Sequence, residues 1–291
     1  MRLISLVTMA AIFLSQPWNF AEAKDMYVIK VPEECRTIKQ AYETSLPGDT
    51  ILVSAGEFTV EGGVVFRGNT KLVGQGADRT IIKVSAPGLM IDSCGQEPAL
   101  NNIVIKDLAI VLEGGPVRVN WVNGFLLDRC VIISKDNSTG LWISSTVNAE
   151  IRNCTIANNG YGIFLWYEPI GLTVRSTILY NNKVGLVVGN PPVIADKRLW
   201  PEGEAEKVAN RPRTGIELDL KYNVFWNHKD IRNYPRGEFD KFVDPKFSNP
   251  TKDDYSLKNN SPCIDAGDPD KRYNDPDGSR SDIGAFPSGG K

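Results

Sequence analysis

Apolar and polar residues recur along this chain in short, repeated phrases. The order apolar, polar, polar, usually small, any, apolar stands as IKDLAI from Ile105, LDRCVI from Leu127, IRNCTI from Ile151, VRSTIL from Val174 and LKYNVF from Leu220. The starts lie 22, 24, 23 and 46 residues apart, the last step being twice 23. These phrases are too short for helices, rich in Val, Ile and Leu, and punctuated by Asn and Gly, which predicts strands joined by tight turns. A second strand follows in each unit: GLWI from Gly140, GIFL from Gly162 and GLVV from Gly185. Short strands at a fixed period with no helix between them predict an all-β solenoid, the parallel β-helix.

Stacked coils lie about 4.8 Å apart, so equivalent residues form rows along the solenoid. Ile105, Leu127, Ile151, Val174 and Leu220 should make one internal apolar row, and Leu108, Cys130, Cys154 and Thr177 another. The pairs Asn158-Asn159, Asn181-Asn182 and Asn227-His228 share one turn, where Asn tolerates left-handed backbone angles and bonds to the amide on the next rung. The single histidine, His228, reads as a turn residue before it reads as a catalyst.

Solenoid ends expose strand edges and need covers. Thr37 before an amphipathic stretch that ends at Pro47-Gly48 predicts a short N-terminal capping helix, followed by a first strand at Thr50 to Ser54. Residues 246–291 are turn-rich and aperiodic, as an irregular C-terminal cap would be. The expected organisation is a signal peptide over 1–23, an N-terminal cap and first strand over 24–60, the β-helix over 61–245 with an inserted loop at 190–214, and the C-terminal cap over 246–291. The signal peptide is read from Arg2, an apolar run from Leu3 to Ser15, and Ala21-Glu22-Ala23 as a small-residue cleavage site. The protein is expected to be secreted or periplasmic, with no membrane span.

Composition narrows the chemistry. Acidic and basic residues nearly cancel, at a net charge of −2, and no long Lys/Arg run occurs, so nucleic acid is excluded as a partner. Of five cysteines, an odd number at low density, several sit among apolar residues. They read as buried thiols, with Cys130 and Cys154 stacked and free.

Three segments carry a family resemblance. TIKQAYETSLPGDTILVSAGEF from Thr37 and TKLVGQGADRTIIKV from Thr70 resemble the opening of secreted bacterial right-handed parallel β-helix proteins of the pectate-lyase-like superfamily. FVDPKF, DYSLKNNSPCIDAGDPD and DPDGSRSDIGAF resemble the segment that closes one branch of it. The resemblance implies a right-handed solenoid. Activity is not implied with the same force, since the superfamily includes lyases, hydrolases, epimerases and proteins with no known reaction.

In the resembling enzymes substrate lies along one sheet, and many are polyuronate lyases that use a basic side chain and often Ca²⁺. FLLDRCVI from Phe125 resembles the lyase strand whose aspartate binds Ca²⁺, which would give Asp128 that role. Its row neighbours, however, are Lys106 and Arg152, where Ca²⁺ wants several oxygens together. The outward row reads Lys106, Asp128, Arg152, Arg175 and Lys221, a mostly basic stripe. Opposite charges on adjacent rungs explain most of it as ordinary ion-pair ladders. The Arg152–Arg175 step needs Glu150 or an outside anion, such as a carboxylated or sulfated sugar, to compensate it. In the second strand Trp142 and Phe164 point outward on neighbouring rungs, where they either meet a sugar ring or are covered by the insertion from Asn190 to Thr214; the candidate substrate-binding residues are Arg152, Arg175, Trp142 and Phe164. Asp275, Asp277 and Asp282 are the candidate metal ligands, with Ca²⁺ the one cofactor raised; the same letters also make ordinary turns. The expectation is an exported monomer that binds an acidic polysaccharide and could cleave it by β-elimination. A hydrolase is disfavoured, because it needs two carboxyl groups about 5–9.5 Å apart and no outward row offers a pair. The alternative is a non-catalytic structural or surface β-helix protein of the cell envelope.

Overall fold

A computed structural model describes residues 27–61, 64, 66–93, 100–166, 169–189 and 218–287. The expected signal peptide, the inserted loop at 190–214 and Cys94 lie outside these residues.

Each coil is triangular in section, built from three strands rather than two. Among the described residues, sheet I has eight strands, sheet II seven and sheet III six, all stacked in parallel. One coil runs through Leu141–Ser144 in sheet III, Val147–Arg152 in sheet I and Thr155–Ala157 in sheet II. The recurring phrase is thus two strands with a corner inside it. In five successive coils that corner is one left-handed residue: Asp107, Arg129, Asn153, Ser176 and Tyr222, with φ of 58, 49, 49, 47 and 56°. A single residue that reverses the backbone twist leaves almost no mark on apolar periodicity.

The expected apolar row is present and longer. Ile29, Ile51, Leu72, Ile105, Leu127, Ile151, Val174 and Leu220 stand in register and are buried. Cys130 and Cys154 are buried free thiols on the adjacent row, donating to the carbonyls of Ile105 and Leu127. Burial pushes both thiols well above the ordinary cysteine range. At the turn after sheet II, Asn159 Nδ2 donates to Asn182 Oδ1 and Asn182 Nδ2 to Asn227 Oδ1, at 2.9 and 2.8 Å. Asn158 and Asn181 take the left-handed angles, with φ of 59 and 50°.

Helix α1, Ile38–Thr44, is capped by Thr37 Oγ1 accepting from Gln40 N at 3.1 Å, while Gln40 Oε1 accepts from Arg36 N. Its buried face, Ile38, Ala41 and Tyr42, joins the solenoid core. A strand at Val28–Val31 precedes it and pairs with Thr50–Val53, ahead of the first strand expected from sequence.

The C-terminal segment lies along the flank instead of across the end. Phe247, Tyr255, Cys263, Ile283 and Ala285 pack on Val131, Ile133, Ala157, Ile178 and Val224, the outward positions of sheet II. Both faces of sheet II are apolar, and the second face needs its own cover. The open end of the solenoid is met by Phe242, stacked on Phe225, and by Asp240 Oδ1, which accepts from Asn223 N.

Candidate functional site

The four candidate substrate-binding residues stand on two different sheets. Arg152 and Arg175 end neighbouring strands of sheet I, in register with each other. Trp142 and Phe164 are in register on sheet III. The structure therefore brings each pair together but not the two pairs.

On sheet I both arginines are compensated within the chain. Arg152 Nη2 donates to Asp128 Oδ2 at 2.9 Å, and its Nη1 lies 3.5 Å from Glu150 Oε2. Arg175 Nε faces Glu150 Oε1 at 3.0 Å, off the line of a hydrogen bond, and its Nη1 donates to Asp268 Oδ2 at 2.7 Å. The ring of Tyr273 covers both guanidiniums, 5.5 and 4.8 Å from their carbons. The outside anion that the like-charged step raised is not needed: Glu150 bridges the arginines, and Asp268 arrives from the flanking segment. Burial works against the charge of Arg152, yet the hydrogen bond to Asp128 and the charges of Asp128 and Glu150 outweigh it and raise its pKa. Asp128 is 3% exposed and also sits 3.6 Å from Arg129 Nη1, which leaves its carboxylate in an ion-pair network.

The carboxylates considered for Ca²⁺ are similarly engaged. Asp275 Oδ2 accepts from Asp282 N, Asp282 Oδ1 from Asp265 N, and Asp277 Oδ1 from Ser279 N and Oγ. Among the described residues no three His, Cys, Asp or Glu side chains are grouped to hold a metal ion. Oxygens given to backbone N–H groups do not fit the open ligand set that Ca²⁺ takes.

Sheet III presents a different surface. Leu141, Ile143, Ile163 and Leu165 point into the core, and the alternation turns Trp142, Phe164 and Trp166 outward. Trp142 and Phe164 meet edge to face at 5.1 Å, Phe164 lies 5.3 Å from Trp166, and Tyr161 stacks on Phe164 at 5.6 Å. One rung before, Arg118 is in register with Trp142 and places its guanidinium carbon 4.8 Å from the indole centroid. Beside this face, on the corner towards sheet I, Trp121, Val147 and Ile170 are 50, 36 and 50% exposed. Sequence reasoning passed over Arg118, Trp166 and Tyr161. The signal was present, since Arg118 stands 24 residues before Trp142 on the same outward parity.

Parallel three-strand coils of this kind define the class: the chain is a right-handed parallel β-helix protein, the fold its pectate-lyase-like resemblance implies. Residues 53–194 match the family described as right handed beta helix region. Over 201 residues the chain is 24% identical to the mannuronan C5-epimerase AlgE3 of Azotobacter vinelandii, covering 61% of this chain and 10% of that protein. The chain thus spans about a tenth of that relative's length. Among solved structures, pectate lyase Pel9A aligns at 11% identity and a TM-score of 0.30, over 90% of this chain and 96% of that one. The A-module of the A. vinelandii mannuronan C-5 epimerase AlgE4 aligns at 11% identity and a TM-score of 0.22, over 71% and 93%. Among the described residues no helix is long and apolar enough to cross a membrane.

Proposed function

We propose that this protein binds an acidic polysaccharide along the outer face of sheet III. The observation that carries the reading is the row Arg118, Trp142, Phe164, in which a cation lies over one aromatic ring and a second ring meets the first edge to face on the next rung. A sugar ring has an apolar C–H face that suits the electron-rich face of an aromatic ring, and the carboxylate of a uronate suits the arginine beside it. The apolar corner at Trp121, Val147 and Ile170 widens the same surface, and exposed patches of this kind mark binding sites. A relative named as a mannuronan C5-epimerase supports the ligand class. Cleavage by β-elimination is the enzymatic extension of the proposal, and export to the periplasm or medium is its setting.

Binding of polymannuronate, polygalacturonate and neutral dextran, measured by affinity electrophoresis, tests this reading. The acidic polymers should retard the protein and dextran should not, and Arg118→Ala/Trp142→Ala should weaken retardation at least tenfold. Absence of retardation by both acidic polymers would sink it. Absorbance of unsaturated ends in the same mixtures reads out cleavage.

The closed charge network of sheet I favours a second reading, a non-catalytic scaffold. There Arg152 and Arg175 hold Asp128, Glu150 and Asp268 to the solenoid, and nothing outside the chain is required.

A further inference from the structure

The corner between sheets II and III carries a groove of about 700 Å³ that the sheet III reading leaves unused. Lys135, Asn137, Asn158, Asn181, Lys183 and His228 line it, and Asn159 and Ser134 complete its wall. It lies where the coils cease to match. Two coils cross from sheet II to sheet III in three residues, 158–160 and 181–183, whereas the preceding coil takes six, 135–140. That longer loop is tied by Ser134 Oγ, which accepts from Asp136 N and Ser138 N.

The mismatch breaks the asparagine ladder. Asn227 Oδ1 accepts from both N and Nδ2 of Asn182, and Asn182 Oδ1 from both N and Nδ2 of Asn159. Each carbonyl oxygen therefore serves the coil before it. By the same rule Asn159 Oδ1 should serve the coil of Ser134 to Gly140, where Ser138 N already donates to Ser134 Oγ. Asn159 is 1% exposed and its Oδ1 has no hydrogen-bond partner. A buried acceptor without a donor is destabilising, so the asparagine ladder ends unsatisfied at this rung, beside the groove.

Charge points to the ligand. Lys183 and His228 are exposed on consecutive coils, Lys135 is held by Asp253 at 2.6 Å, and none of the lining residues carries a carboxylate. We infer that this groove is a second carbohydrate site, which takes uronate residues of an acidic saccharide running along the solenoid axis. Lys183 faces the carboxylate, His228 adds a ring nitrogen, and the amides of Asn137, Asn158 and Asn181 take hydroxyls. The inference rests on the proposed function for the class of ligand and on separate residues for the site.

Backbone amide shifts on titration with hexagalacturonate and hexamannuronate test it. Either hexamer should shift the amides of Asn158, Asn181 and Lys183. These shifts should vanish in Lys183→Ala/His228→Ala, whose exposed side chains leave the melting temperature unchanged, and persist in Arg118→Ala/Trp142→Ala. Shifts confined to sheet III would overturn the groove and leave the sheet III reading standing. Shifts confined to the groove would do the reverse. No shift anywhere would overturn both, and equal groove shifts with methyl-esterified hexagalacturonate would overturn the anionic assignment.

Discussion

Asn182 shows how much one side chain carries in this solenoid. It bonds to Asn159 on one side and Asn227 on the other, and also donates to the carbonyl of Ile156. Asn182→Ala should cost about 2–3 kcal/mol in urea unfolding, because buried donors and acceptors on three partners lose their bonds at once. Arg152→Ala/Arg175→Ala leaves Glu150 and Asp268 without their ion-pair partners and Asp128 with Arg129 alone, and should destabilise by about 2–4 kcal/mol. The same variant should bind acidic polysaccharide as the unaltered protein does; loss of binding with an unchanged midpoint would return the site to sheet I. Asp275 is held at about 7 by burial and by the nearby charges of Asp282, Asp277 and Asp265. A carboxyl whose folded pKa is raised contributes stability in full below its unfolded value near 4, and loses it as pH rises through about 7. Asp275→Asn should therefore match the unaltered protein at pH 4 and exceed it at pH 8 by on the order of 1–3 kcal/mol, read from urea midpoints at each pH. Cys130 and Cys154, pushed up by burial, should resist a disulfide reagent at pH 8 in the folded protein and react fully in guanidinium.

Strands and corners were unequally legible. Inward rows such as Ile105, Leu127, Ile151 and Val174 announce themselves because every coil must fill the same core volume with a similar side chain. The corner at Asn153 does not, because Arg129, Ser176 and Tyr222 take the same left-handed angle in other coils. There the surrounding hydrogen bonds override residue preference, as when Asn153 N donates to Arg175 O and Ser176 N to Lys221 O. The short helix was legible through Thr37, and Thr37→Ala should lower stability by about 1 kcal/mol in thermal or urea unfolding, the ordinary effect of losing an N-cap.

Taken whole, the molecule is a stack of coils with one long flap on its side. Residues 246–287 cover the apolar outer face of sheet II, so removing residues 246–291 should expose Val131, Ile133, Ala157 and Ile178. The truncated chain should bind a hydrophobic dye and aggregate; a soluble product with an unchanged melting temperature would show that the flap is dispensable. The period of about 23 residues, the inward rows and the asparagine turns were set by the amino-acid order alone, because each depends on neighbours one coil away that repeat the same pattern. Tertiary structure decided which charges are satisfied within the chain. Asp268 and Tyr273 reach Arg175 from an aperiodic segment 93 and 98 residues further along the chain, and no repeat predicts where such a segment will lie. The groove is of the same kind: a coil three residues longer at its corner removes the rung that would have filled it, and only stacking turns that difference into space.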